Sequence, residues 1–256
     1  MDPATLIGFV VSIIALVVFM ILEGADPTSL IFLPAIVLVV VATFGAAMAS
    51  QTMDDLKKMP NWFKMALVPG KVPPATEQIQ VLVSLAEKAR KEGLLALEAQ
   101  VKDIDDPFLK RGLQMSIDGT DPEDLRSILE GEISAKKTED KVAAKFMNNM
   151  GGYAPTIGIL GCIVGLMNVM GSLSNPEALG PMVSAAFIAT LWGVMAANFW
   201  FLPMGAKILR VSALQAAQME LLVEGIAEIQ AGTSPRTVRA KLTSLVPPSE
   251  QQREAA

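Results

Sequence analysis

The chain contains no histidine and a single cysteine, Cys162, in 256 residues. The missing imidazole removes the side chain most used as a general base near neutral pH, and with it the commonest metal ligand. One thiol supports neither a disulfide framework nor a cysteine-rich metal site. Acidic and basic residues are also absent from four long stretches, 4–22, 29–50, 151–173 and 181–204. A proton or cation carrier ordinarily places an ionisable group inside the membrane, and an intramembrane aspartyl protease needs carboxylates there. Neither can be assembled from this chain alone. No nucleophile elbow, P-loop or dinucleotide fingerprint occurs. No basic patch interleaved with aromatics marks a nucleic-acid binder. The sequence therefore predicts a protein that is not an enzyme, holds no bound cofactor or metal, and has no nucleic-acid partner.

What the chain has in abundance is apolar residues, 52% of the total, too many for an ordinary soluble domain. They are concentrated in the four uncharged stretches. Each reaches the roughly 20 residues that a helix needs to span about 30 Å of hydrocarbon. The predicted fold is an all-α integral membrane protein with four transmembrane helices. A signal peptide is not expected at the first stretch, which has only Asp2 ahead of it and no small-residue cleavage site before a soluble domain. All 21 Lys and Arg lie either in 51–150, which holds 15, or beyond Gly205, where there are 6. The positive-inside rule then places both termini and the long central loop in the cytoplasm.

The expected organisation has five parts. Residues 1–50 form a hairpin of two spans, closed by the Gly and Pro of 23–28. Residues 51–150 form a helical cytoplasmic loop domain, and 151–204 a second hairpin. Residues 205–246 form cytoplasmic helices, and 247–256 a polar tail without fixed structure. Within the loop, Asn61–Leu67 mixes aromatics with Lys64, as an interfacial segment would. Apolar positions from Thr76 to Gln100 recur at helical spacing and predict one amphipathic helix. Asp121-Pro-Glu-Asp124 opens another, with Asp as N-cap, Pro at the first position and acids against the helix dipole. That helix is predicted to run nearly into the third span. A helix over 207–230 is expected to continue from the fourth.

The third and fourth spans carry the residues of interest. Gly158, Gly161 and Gly165 on one, with Ala185, Ala189, Gly193 and Ala197 on the other, form ridges of small residues that let helix backbones approach closely. Pro155 and Pro203 lie at the predicted cytoplasmic ends of these spans. Neither can donate a hydrogen bond to the residue four before it, Gly151 or Phe199, so each predicts a kink, a hinge or a helix boundary. Cys162 and Thr190 fall at similar depth, counting about 1.5 Å per residue from opposite ends of antiparallel helices. The Thr190 hydroxyl either offers an oxygen to a hard cation or bonds back to its own helix. In the loop, Arg90, Lys91 and Glu98 sit on a charged surface where pairs such as Glu87 with Lys91 are four residues apart.

Several segments together resemble the MotA/PomA family of flagellar motor stator subunits, and most closely its PomA-like branch. They are Ala89-Arg-Lys-Glu-Gly-Leu-Leu-Ala-Leu-Glu98, Ala154-Pro-Thr-Ile-Gly-Ile-Leu-Gly161, Ala189-Thr-Leu-Trp-Gly193 with Phe201-Leu-Pro203, and Glu224-Gly-Ile226 through Pro235-Arg236. The resemblance implies a multi-pass protein of the bacterial inner membrane. It implies a pentamer of this chain around two copies of a single-span MotB/PomB-type partner whose membrane Asp carries the ion. It also implies that Pro155 and Pro203 couple ion passage to movement, and that Arg90 and Glu98, with Lys91 beside them, act on the rotor protein FliG. Ala99 departs from sodium-type relatives, which carry a second acid there. Sodium-type members have Thr at the positions of Thr190 and Cys162, whereas proton-type members usually have Ala at both. The transported ion is H+ or Na+, and the retained Thr190 favours Na+, whose partial dehydration suits oxygen ligands. The alternatives are an ExbB/TolQ-type energiser of envelope processes and a non-transporting membrane scaffold.

Overall fold

The computed structural model describes residues 2–70 and 72–251 and, among these, is helical throughout with no strand. Helix α1 (Pro3–Leu22) starts where the Asp2 carboxylate caps it and Pro3 occupies its first position. Of its side chains only Met20 is buried. A 3-10 turn (Pro27–Leu30), capped by Asp26, precedes helix α2 (Leu33–Ala49), which contains a π-helical turn over Leu38–Ala42. The second apolar stretch, expected to be helical from residue 29, is thus divided. Proline lacks an N–H and favours the first turn of a helix, so Pro27 and Pro34 start separate helical segments instead of continuing one.

Helix α3 (Met53–Leu67) opens with a capping box in which Thr52 and Asp55 satisfy each other's backbone. Helix α4 (Ala75–Glu92) is shorter than the helix expected over 76–100. It stops at Gly93, whose φ of 87° is readily adopted only without a side chain. A 3-10 turn (Leu94–Leu97) and the short α5 (Glu98–Lys102) follow. The Asp106 carboxylate accepts from the Phe108 and Leu109 amides at the head of α6 (Pro107–Ile117). Helix α7 (Pro122–Met170) is continuous, and helix α8 (Pro176–Gln230) contains a π-helical turn at Ala196–Phe201. Helix α8 begins ahead of the uncharged stretch at 181 because Pro176, with Glu177 in the first turn, supplies an earlier start. Ser234 caps α9 (Pro235–Leu245). Where the sequence suggests an unstructured tail, Pro248–Gln251 forms a helical turn, α10, and residues 252–256 lie outside the described residues.

The chain divides into two compact units, one of residues 1–70 and 140–210, the other of 71–139 and 211–256. In the first, Trp62, Ala66, Phe146, Met147, Ala154, Ala196, Ala197 and Ile208 form the core. Trp62 and Phe146 ring centres lie 5.4 Å apart. Among the described residues three helices, α1, α7 and α8, are long and apolar enough to cross a membrane, and α2 is a shorter apolar helix. In the second unit, the buried faces of α4, α6, α7, α8 and α9 close over Leu82, Leu113, Leu129, Ile226 and Leu242. Arg126 pairs with Glu224, and Lys137 with Glu220 at 2.7 Å. Glu228, nearly buried, pairs with Lys241.

Within the first unit, α7 and α8 meet at their glycines. A Cβ on Gly193 would lie 2.5 Å from the Ala154 carbonyl oxygen and 3.0 Å from the Gly158 Cα. One on Gly158 would lie 2.8 Å from the Ala189 carbonyl oxygen and 3.1 Å from the Thr190 Cα. Farther along, Gly165 faces Ala186, and Gly161 faces both Ala189 and Leu38 of α2. At Gly158 and Gly193 the atoms met are backbone, which no rotamer change relieves.

Gly193→Ala is therefore expected to lower the stability of the detergent-purified protein by about 1–3 kcal/mol. Gly152→Ala, at a site with nothing within 4 Å, is expected to be neutral in the same thermal melt. In the second unit, burial raises the Glu228 carboxyl, but hydrogen bonds from Lys241 and Thr233 outweigh it and hold the group below its ordinary value. Its contribution is thus present above the unfolded carboxylate pKa and is lost as pH falls through the lower folded one. Lys241→Met removes the main opposing interaction. It is expected to lower the thermal stability followed by circular dichroism at neutral pH, and to change it least in acid, where the contribution is already lost.

Candidate functional site

The α7–α8 seam determines what each polar or helix-disturbing residue beside it can do. The Thr190 hydroxyl donates to the Gly158 carbonyl oxygen, 3.4 Å away on the facing helix. Of the two roles open to it in the sequence, bonding back to its own helix is not the one observed. The bond is long, and the hydroxyl oxygen keeps its lone pairs for a further ligand. Gly158 makes this bond possible, since any Cβ there would press on the backbone of Ala189 and Thr190. Cys162 lies one turn beyond Gly158 on α7 as a half-buried free thiol.

The two prolines behave differently. Pro155 sits inside an unbroken α7 and is half-buried, with Ala154 beside it presenting its carbonyl to Gly193. Pro203 is exposed and directly follows the π-helical turn of α8. There Leu202 donates to Ala197, five residues back instead of four. Pro203 itself has no N–H for the Phe199 carbonyl. The regular ladder is thus loosened for a turn and a half just before Pro203. Such π turns are often found at functional sites.

A further anchor was not read from the sequence. The Trp192 indole N–H donates at 2.8 Å to the Leu30 carbonyl, tying α8 to the 3-10 turn before α2. Trp200, two helical turns along, lies 5.8 Å from Trp192 between ring centres. Two tryptophans eight residues apart on one apolar helix were the available signal. The opposite face of α7 is apolar and exposed, with Ile159, Leu160, Ile163, Val164 and Met167 all half or more accessible.

In the second unit, Arg90 and Lys91 lie in the last turn of α4, and Glu98 starts α5 after the Gly93 break. All three are exposed. Lys91 binds Glu87 at 2.6 Å, which lowers the Glu87 carboxyl and raises the Lys91 amine relative to their ordinary values. Glu98 stands 4.0 Å from Lys102. Leu97 is buried, whereas Leu95 is 74% exposed among these charges. Among the described residues, no three His, Cys, Asp or Glu side chains are placed to hold a metal ion.

Residues 100–221 match the model of the MotA/TolQ/ExbB proton channel family. The Motility protein A of Bacillus subtilis (strain 168) is 34% identical over 98% of this chain and 93% of its own length. The flagellar MotAB stator complex from Bacillus subtilis contains a chain with a TM-score of 0.92 and 33% identity, covering 98% of both chains. The C. jejuni MotAB structure gives a TM-score of 0.93 and 30% identity over 97% of both chains. Similarity on this scale, over sequence and fold together, shows that the chain belongs to the MotA/TolQ/ExbB proton channel family.

Proposed function

We infer that this chain is a stator subunit of the bacterial flagellar motor, part of an ion-conducting complex that turns ion flow into torque on the rotor. One observation carries the reading. A chain whose fold and sequence follow MotAB stator chains almost end to end has no Asp, Glu, Lys or Arg in the two uncharged stretches that meet at the glycine seam. An ion path along these helices needs a charge-carrying group from elsewhere, and a MotB/PomB-type single-span partner with a membrane Asp supplies it. The exposed apolar face of α7 is suited to packing against such a partner or a further copy of this chain.

In this reading α1, α2, α7 and the first part of α8 each cross the bacterial inner membrane. Both termini are cytoplasmic, and 51–150 and 205–246 form the cytoplasmic part. Five copies surround two partner chains. Thr190 and Cys162 border the ion path, and the hydroxyl of Thr190 favours Na+. Pro155 and the loosened turn before Pro203 accommodate the movement that accompanies ion passage. Arg90, Lys91 and Glu98 present the cytoplasmic contact to FliG. The extra amino-terminal hairpin argues against an ExbB/TolQ-type energiser, and the near-complete match to Motility protein A has the same direction.

Deletion of this chain in a strain with no second stator is expected to abolish swimming while leaving flagella assembled. Persistent swimming would contradict the proposed function. Thr190→Ala is expected to weaken the sodium dependence of swimming speed with expression unchanged. An unaltered sodium response would remove Thr190 from ion selection.

A further inference from the structure

Asp2 joins three helices of the first unit. Its Oδ1 accepts from the Ala4 amide at the head of α1, at 3.4 Å. Its own amide donates at 2.9 Å to the carbonyl of Leu67, the last residue of α3. Its Oδ2 accepts from the Lys207 ammonium of α8. The two side chains keep only 24% and 25% of their surface accessible, so the pair is less screened than one on an open surface. Lys207 holds the Asp2 carboxyl below the usual carboxylate range.

The position of Lys207 gives the pair its meaning. It lies four residues, one helical turn, beyond Pro203, and Pro203 follows the π turn in which the hydrogen-bond ladder of α8 is loosened. Beside that loosened segment α1 and α8 approach each other but leave space between their side chains. A groove of about 280 Å³ is lined by Thr5, Gly8 and Phe9 of α1 and by Phe199, Pro203 and Lys207 of α8. A Cβ on Gly8 would meet nothing within 4 Å. A flexible turn, free space next to it and an ionic tie where the regular helix resumes are thus brought together by one short stretch of chain.

We propose that the Asp2–Lys207 ion pair is a strap holding α8 to the start of α1 just past its flexible turn. Bending at Pro203 is then taken up by the groove, without separating the two helices. Asp2 and Lys207 are positioning residues for this movement, and the proposal rests on the reading of the chain as a stator subunit. Helix bending needs both a weak point and fixed flanks; beyond Pro203, Gly205 packs α8 against Ala144 and Asn148 of α7, and the strap fixes the side that faces α1.

The test uses the full chain assembled with its partner subunit, and Asp2→Asn, which keeps a good N-cap while removing the charge. Lys207→Met, the double variant and the charge-conserving Lys207→Arg complete the set. Backbone hydrogen exchange over 199–208 is expected to accelerate about fivefold in either single variant. Rotation speed of tethered cells at saturating ion is expected to fall with assembly intact. The double variant should be no worse than either single one, since the two act through one contact, and Lys207→Arg should remain near the wild type. Unchanged exchange, additive losses in the double variant, accelerated exchange with unaltered rotation, or failure of Asp2→Asn to assemble would each overturn the strap. Swimming that survives deletion of the whole chain strikes the stator reading alone, because the exchange measurement judges the strap independently.

Discussion

Direct backbone contact between α7 and α8 is the constraint on which the membrane-type unit depends. Gly193 against the Ala154 carbonyl, and Gly158 against Ala189 and Thr190, leave no room for a single added carbon. Apolar side chains gain little by leaving lipid for one another, so close packing of small residues is what holds such helices together. The same closeness brings the Thr190 hydroxyl within reach of a carbonyl on the facing helix. It also turns the bulky face of α7 outward, where Ile163, Val164 and Met167 remain exposed.

The second consequence concerns flexibility. Close contact at Gly158–Gly193 before the π turn, and at Gly205 against the Ala144 carbonyl after Pro203, concentrates bending of α8 in the loosened turn between them. Rigid contact on one side and a loosened ladder on the other are complementary properties of one helix.

Much of this was legible in the sequence. The lack of charge marked the apolar helices and Asp121-Pro122 the start of α7, whereas on α8 it is Ala186, in place of Ala185, that meets Gly165 beside Ala189 and Gly193. The misreadings were local. Gly93 ends a run whose periodicity suggests a helix to Gln100, and a glycine at the end of an amphipathic pattern is a strong stop signal. Pro34, inside the apolar stretch 29–50, starts a new helix after the 3-10 turn that Pro27 opens, where hydropathy alone left one helix whole. The π turns at Leu38–Ala42 and Ala196–Phe201 have weaker signals, because one extra residue in a turn leaves composition unchanged and only Pro203 hinted at the second. The partner of Thr190 and the Asp2–Lys207 pair depend on contacts between residues far apart in the chain, which periodicity does not encode.

What the chain lacks remains its most informative property. The uncharged stretches that form the seam contain no carboxylate, so conduction by this chain is expected to require a second one. Ion flux into vesicles reconstituted with this chain alone, and with its MotB-type partner released from any plug, tests that dependence most directly. The account predicts no flux above the lipid background without the partner, flux with it, and loss of that flux when the partner's membrane Asp is replaced by Asn. Equal flux from this chain alone would contradict it.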